Sequence, residues 1–451
     1  MKSYDLIVMG VGPAGLTAAV MGATMGMKVC AIEQNLVGGE CTNYGCLSSK
    51  ALINFQSLNL PPKTPFGPVH DMITKARKEE LEPLLQGVDF IHSIARFVDD
   101  KTVMVNDEKI TAKRIIIAIG TKPSVPPIPS MDTIDYLTND TVFSLESTPQ
   151  SMIIIGGGMI GAELSLAFCR LGCKCTIVQA DEHIVPTGEK KAALMVEEQY
   201  RKLGIDIFNG ESIASVAMEN NQVALNTASG KTIRAEKLLV AAGRKQDFST
   251  INLEAAGVKY TKRGIIVDKY LRTNKKHILA VGDCNGGTMI SNIAIHEAMI
   301  GLMNTFIPWP FKYNIQKFCI PWTAFTDPEL SHVGMTTKEL DAKGIRYQVV
   351  EVPFSEYGGA TIQGADIGYI QVITNWYGKI YGVSILGKHS GEMINEWSLA
   401  IQNKCLLFDV MMSLHVFPTI GFLSKRVAEN WMMGVAKKPI MQKLVSLMKH
   451  F

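Results

Sequence analysis

Several kinds of sequence feature are missing from this 451-residue chain, and each absence removes a class of function. The formal charge is only +3 and no long basic run concentrates it, so the footprint of a nucleic-acid binder is missing. No two cysteines stand at CxxC spacing, which removes the usual redox motif and the zinc knuckle. No secretory leader is read, because the first residues run directly into an apolar strand pattern at residues 5–9. Nine cysteines scattered through so large a chain suit a reducing, cytoplasmic compartment. The most membrane-like stretch, residues 152–169, is interrupted by Gly156, Gly157, Gly158 and Glu163, so no membrane span is expected. No resident metal is expected either. With 47% hydrophobic residues, the chain can bury cores for two to four domains.

What is present begins with the run GGECTNYGCLSSK at residues 38–50, which holds Cys41 and Cys46. In an ideal helix their Cα atoms would lie about 7.5 Å apart along the axis, beyond the roughly 4.4–6.8 Å that a disulfide needs. The segment is therefore expected to bend at its start, with Asn43 and Gly45 as the residue types that tolerate the bend. A cysteine near a helix N-terminus also has its thiolate favoured by the backbone dipole, as a nucleophile or electron relay requires.

An internal repeat organises the first half of the chain. The apolar run and fingerprint with Gly10, Gly12 and Gly15 recur with Gly156, Gly158 and Gly161, an offset of 146 residues (156 against 10). The register holds to the end of the next strand, where Glu33 aligns with Gln179. Each copy follows an apolar strand and opens a helical pattern, so two dinucleotides are implied. The glycines let the backbone approach a pyrophosphate at a helix N-terminus. Glu33 is placed to accept hydrogen bonds from a ribose and would repel a 2′-phosphate. Gln179 is neutral and no arginine pair follows it, which points to NAD(H) over NADP(H); its plainer reading is a solvated surface residue. Two further apolar runs end in Gly120 and Gly243, and a third ends in Asp283, placed for a ribityl or pyrophosphate group.

These motifs, in one order across nearly the whole chain, resemble the class I pyridine nucleotide-disulfide oxidoreductases, the family of dihydrolipoamide dehydrogenase, glutathione reductase and mercuric reductase. Residues 43–46 and 137–139 are most similar to the mercuric-reductase-like branch. The resemblance implies an α/β fold: two Rossmann-like dinucleotide-binding domains, one for FAD and one for NAD(P), plus a C-terminal α+β dimerisation domain. It implies FAD at Gly10, Gly12, Gly15, Glu33, Gly39, Lys50, Gly120 and Asp283, and the nicotinamide cofactor at Gly156, Gly158, Gly161, Gln179 and Gly243. It further implies that Cys46 lies next to the flavin as the charge-transfer thiolate and that Cys41 is the interchange thiol. Lys50 would lie near the flavin and pair with Glu163.

Departures from the family pattern fall on the oxidative half-reaction. Thiol-disulfide members carry HxHPTxxE, whose second histidine acts across the dimer as general acid/base. Here the stretch reads His415, Val416, Phe417, Pro418, Thr419, with Phe422 where the orienting glutamate would stand. A phenyl ring moves no proton, and such help is typically worth about 10²–10⁴ in rate. His415 is the candidate replacement, against its plainer reading as a packed interface residue. Mercuric reductase also carries a C-terminal cysteine pair, and residues 443–451 hold none. Residues 51–86 are shorter than the family norm and carry Pro61, Pro62, Pro65 and Pro68, so an open, broken cover over the dithiol is expected. Gly358 or Gly359 replaces an arginine common in the family.

The expected layout is a flavin domain at 1–146 and 247–313, a nicotinamide domain at 147–246, and an interface domain at 314–451 that makes a homodimer. Ile440, Met441, Leu444, Val445, Met448 and Phe451 recur at helical spacing among lysines, which suits packing on the dimer or peripheral contact with a membrane. The expected activity is an NAD(P)H oxidoreductase with a redox-active Cys41–Cys46 disulfide and a small-molecule or small-protein acceptor: a disulfide, a persulfide or a metal ion. The alternatives are a flavin-level quinone or dioxygen reductase and a redox-sensing flavoprotein.

Overall fold

The computed structural model describes residues 1–448, which form two compact units. The first comprises residues 1–156, 167–178 and 211–317, and the second residues 157–166, 179–210 and 318 onward. At the centre of the first unit is the strand Lys2–Met9, whose last four residues are all buried, the pattern of a parallel strand covered on both faces. Val29–Glu33 and Glu108–Ile117 pair with it in parallel, with Leu6 opposite both Val29 and Arg114. Asp89–His92 and Ile278–Ala280 extend the parallel set, while Thr102–Val105 and Arg96–Phe97 close one edge in antiparallel pairing. Because the five parallel strands point one way, residues 10–12, Glu33, residues 118–121 and the turn Gly282–Asn285 gather at one end of the sheet. Ligands of open parallel sheets bind at that carboxyl end.

The helix Pro13–Thr24 starts with proline, whose missing N–H would be unpaired there in any case. Its Gly15 sits so close to the preceding turn that an added Cβ would lie 1.8 Å from the Gly10 carbonyl oxygen. The helix Ser291–Phe306 packs beside it.

The repeat is reproduced in the second sheet, where Lys174–Val178, Ser151–Ile155, Lys237–Val240 and Leu137–Thr138 run in parallel. The helix Met159–Arg170 follows Ser151–Ile155 in the chain as Pro13–Thr24 follows Lys2–Met9. A three-stranded antiparallel sheet, Ile213–Glu219, Gln222–Thr227 and Thr232–Ala235, completes the first unit.

Residues 61–68 correct part of one expectation. Pro61 and Pro62 lie in an irregular stretch between helices, whereas Pro65 precedes and Pro68 lies within the first turn of the helix Phe66–Ala76, where a helix leaves its N–H groups unpaired and tolerates proline. Phe66, Val69 and Ile73 of that helix are buried.

The second unit holds an antiparallel sheet of Trp322–Ala324, Leu330–Gly334, Ile380–Leu386, Tyr369–Thr374 and Gln348–Pro353. The helices Ser390–Gln402 and Phe422–Ala436 pack on it around Trp397 and Trp431, the α+β arrangement expected of this region. The helix Pro439–Met448 follows, with Val445 and Leu447 exposed; Phe451, counted with its stripe above, lies outside the described residues. Among the described residues no helix is long and apolar enough to cross a membrane.

Gly15→Ala is expected to cost about 1–3 kcal/mol through overpacking against the Gly10 carbonyl. Urea denaturation would show a lower midpoint with an unchanged slope; an unchanged midpoint would contradict the packing described.

Candidate active site

The dithiol segment is fixed to the fingerprint turn by backbone alone. The Gly38 N–H donates to the Val11 carbonyl at 2.8 Å, and an added Cβ on Gly39 would lie 2.8 Å from Gly12 Cα. Gly39 has φ +59°, so glycine is needed there for conformation as well as for space. Cys41 lies in the short helix Gly39–Asn43, Tyr44 and Gly45 leave helical geometry, and Cys46 opens the helix Cys46–Ile53. The expected bend is therefore present. Asn43 plays a different part from the one expected: it stays helical, its amide donating to the carbonyls of Val37 (3.1 Å) and Gly39 (2.8 Å). Its Oδ1 accepts from the buried Arg77 guanidinium at 2.8 Å, so residues after the prolines brace the dithiol segment.

Cys41 and Cys46 are both partly exposed. Ser291, first residue of the helix Ser291–Phe306, donates its hydroxyl to Cys41 Sγ at 2.9 Å and lies 3.6 Å from Cys46 Sγ. The Cys41 thiol is pushed up, first by its hydrogen bond with Cys46 and then by burial and the charge of Cys46. Ser291 and the Lys50 ammonium oppose that shift.

Around the dithiol a polar network ties the strand ends together. Arg244 reaches Glu40 Oε1 at 2.6 Å, Thr121 Oγ1 at 2.6 Å and the Thr121 carbonyl at 3.0 Å, and lies 3.7 Å from Asp283. Asn139 donates to the same Glu40 oxygen. Burial raises the Asp283 carboxyl, and the Arg244 charge works against that rise. Gly120 and Gly243, which precede Thr121 and Arg244, adopt φ of +67° and +118°. Behind Asp283, Glu297 accepts from the Gly282 N–H and from Asn285, each at 2.7 Å, and burial pushes its carboxyl up to about 7. Sequence reasoning missed Ser291 and Glu40, because their partners stand far away in the chain, and Glu297, whose nearer partners follow no local motif. The residues present fit a flavin dinucleotide. An added Cβ on Gly12 would enter space bounded only by Gly39 Cα at 3.9 Å, and Glu33 has its carboxylate oriented by the N–H groups of Val11 (2.7 Å) and Asn35 (2.8 Å).

The second fingerprint also fits a dinucleotide. An added Cβ on Gly158 would meet nothing within 4 Å, while Gly157 packs so tightly that a Cβ would lie 2.2 Å from Gln179 Oε1. Gln179 is 5% exposed, which excludes the solvated-surface reading. Its Nε2 donates to Asn209 at 2.7 Å and its buried Oε1 has no hydrogen-bond partner, leaving an acceptor for a ribose hydroxyl. Gly156, with φ +102°, begins the turn, and Gly161 lies in the helix that follows. Glu163 is buried in the second unit and accepts from the Phe325 N–H at 3.0 Å; Lys50 belongs to the first unit.

His415 is not without an orienting carboxylate. Its Nε2 faces Glu396 Oε1 at 2.8 Å and its Nδ1 faces the Ser413 carbonyl at 3.1 Å. The glutamate missing at Phe422 is thus supplied from the helix Ser390–Gln402, a partner that no local motif reveals. Leu414, Val416 and Phe417 beside it are strongly exposed.

Two dinucleotide turns and a dithiol against the first of them define a flavin-linked disulfide reductase. Comparison with known proteins agrees. Residues 4–298 match the pyridine nucleotide-disulphide oxidoreductase family model, and residues 320–425 match that family's dimerisation domain. The chain is 30% identical to mercuric reductase of Staphylococcus aureus, over 96% of its own length and 83% of that protein's. It is 31% identical to dihydrolipoyl dehydrogenase of Thermus scotoductus, over 93% and 96%. Among solved structures, the Cu(II) complex of the HOCl-induced flavoprotein disulfide reductase RclA from Escherichia coli superposes with a TM-score of 0.88 at 25% identity, covering 96% of this chain and all of that one. The chain belongs to the pyridine nucleotide-disulphide oxidoreductase family: it is an FAD-dependent oxidoreductase that works with a pyridine nucleotide and carries the domain for pairing as a homodimer.

Two tests follow from the network. Arg244→Ala strands Glu40 beside Asp283 and is expected to lower stability by roughly 1–3 kcal/mol, measured by chemical denaturation. Glu297→Gln can keep both hydrogen bonds and removes the titration. A raised carboxyl contributes stability that is complete below its unfolded value near 4.5 and is lost as pH rises through about 7. The wild type should therefore lose up to about 3 kcal/mol relative to Glu297→Gln across that window; parallel pH profiles would contradict this.

Proposed function

We propose that this enzyme uses NADH to reduce a Cys41–Cys46 disulfide and passes the electrons from Cys41 to an acceptor that needs little proton help. The observation that carries this reading is the Ser291 hydroxyl within reach of both sulfurs, 2.9 and 3.6 Å, on the segment packed against the flavin turn. FAD, when bound, would supply the two-electron step between nicotinamide and disulfide. Cys46 is the sulfur nearer the flavin and Cys41 the one that meets substrate. The Lys50 ammonium favours the Cys41 thiolate, and Lys50 and Glu163 remain candidate catalytic residues on the family resemblance. The preference for NADH rests on neutral, buried Gln179, which offers a ribose acceptor and no cation for a 2′-phosphate.

Residues 1–146 and 247–313 serve the flavin, 147–246 the nicotinamide and 314–451 the dimer, where a second copy covers Leu414, Val416 and Phe417. His415, with Glu396, is the one histidine of this stretch available to move a proton. Phe417 removes the usual base, so acceptors whose leaving group is stable as an anion, or which are reduced without protonation, suit the site best: a disulfide of low leaving-thiol pKa, a persulfide or a soft metal ion. The mercuric reductases and the Cu(II)-bound RclA point to metal ions as the first acceptors to try. The last helix packs on the dimer, and the nine dispersed cysteines suit the cytoplasm.

Cys41→Ser should lower acceptor turnover at least about 10²-fold, taking loss of the nucleophile as no smaller than loss of a general base. Reduction of the flavin by NADH should persist. Undiminished acceptor turnover would instead favour a flavin-level quinone or dioxygen reductase. NADH should exceed NADPH in kcat/KM by about tenfold or more, a difference of about 1.4 kcal/mol; parity would overturn the cofactor assignment.

A further inference from the structure

We propose that Ser291 is a catalytic hydrogen-bond donor to the Cys41 thiolate, supplying from this chain's own helix the stabilisation that a neighbouring histidinium would otherwise give. The inference rests on Cys41 being the attacking thiol. Three observations carry it. The Ser291 hydroxyl donates to Cys41 Sγ at 2.9 Å and stands 3.6 Å from Cys46 Sγ, so a rotation of one hydroxyl can serve either sulfur. Ser291 is the first residue of a 16-residue helix, whose first-turn N–H groups carry partial positive charge, and the hydroxyl is aimed at sulfur instead of capping that turn. The helix is held in place by packing along Pro13–Thr24 and by Glu297, whose carboxylate grips the Gly282 N–H of the preceding turn.

Serine is too weakly acidic to serve as a base, and the proposed chemistry does not ask it to. With a disulfide acceptor, the Cys41 thiolate attacks one sulfur, forming a Cys41–S bond and releasing the other half as a thiolate. The Cys46 thiolate then attacks Cys41 Sγ, re-forming the Cys41–Cys46 disulfide and releasing the second thiolate. Two electrons pass from the dithiolate to the acceptor, and no proton is taken from Ser291. Its hydrogen bond stays with Cys41 while that sulfur is charged and can swing to Cys46 for the second attack. The other charged or titratable groups around Cys41 in the first unit are Cys46, Lys50, Glu40 in its pair with Arg244, and His296 farther along the Ser291 helix.

The test uses the flavin-replete enzyme carrying Cys46→Ala, so that Cys41 is the lone active-site thiol. Alkylation of Cys41 by iodoacetamide is followed against pH, with the labelled peptide quantified by mass spectrometry. Adding Ser291→Ala should move the midpoint up by about one pH unit and slow labelling at neutral pH roughly tenfold, the loss expected for a hydrogen bond to a charged group. Ser291→Thr, which keeps the hydroxyl, should restore the profile. An unchanged midpoint in Ser291→Ala, or equal shifts in the alanine and threonine variants, would overturn the proposal. If Ser291→Ala does not retain flavin, Ser291→Gly is compared with Ser291→Thr in its place. Failure of the wider reading is distinguishable, because it appears as full acceptor turnover in Cys41→Ser whatever the alkylation profile.

Discussion

The approach of Gly39 to Gly12 is the constraint on which the site depends. Two backbones meet where neither residue has a side chain, and the Gly38 N–H completes the join at the Val11 carbonyl. This fixes the start of the dithiol segment on the first fingerprint turn by main chain alone. The break at Tyr44 and Gly45 then turns Cys46 back within reach of the hydroxyl that also holds Cys41. A Cβ at Gly39 would push the two halves of the redox path apart.

Charge is arranged around this join so that few groups stand uncompensated. Arg244 takes the Glu40 carboxylate in a two-pronged pair and shares its field with Asp283, while Asn139 holds Glu40 from the other side. Such partly buried pairs lose much of their Coulomb gain to desolvation, so their value here lies in orientation more than in stability. The same economy appears at Glu297, which lies behind Asp283 and orders the 282–285 turn.

Local pattern revealed what local physics determines. The two fingerprints, the strands leading to them and the bend between Cys41 and Cys46 follow from glycine placement, apolar runs and disulfide reach, all readable within about thirty residues. The α+β character of the last third was readable by family resemblance. Pairings between distant residues were hidden: Ser291 with Cys41, Arg244 with Glu40, Arg77 with Asn43 and Glu396 with His415 each join positions 19 to 250 residues apart. Pro65 and Pro68 misled because proline stops a helix from within but starts one at its first turn. Gln179 was legible as a candidate cofactor contact with a solvated residue as the plainer alternative, and burial against Gly157, with one oxygen lacking a partner, removes that alternative.

The central claim is that electrons pass through the dithiol. Anaerobic titration of the flavoprotein with NADH, followed by its visible spectrum in wild type and in Cys46→Ser, tests it most directly. A long-wavelength charge-transfer band in the wild type that is absent from Cys46→Ser is the predicted result. Bleaching of the flavin in the wild type without that band would disconnect the cysteines from the flavin and contradict the account.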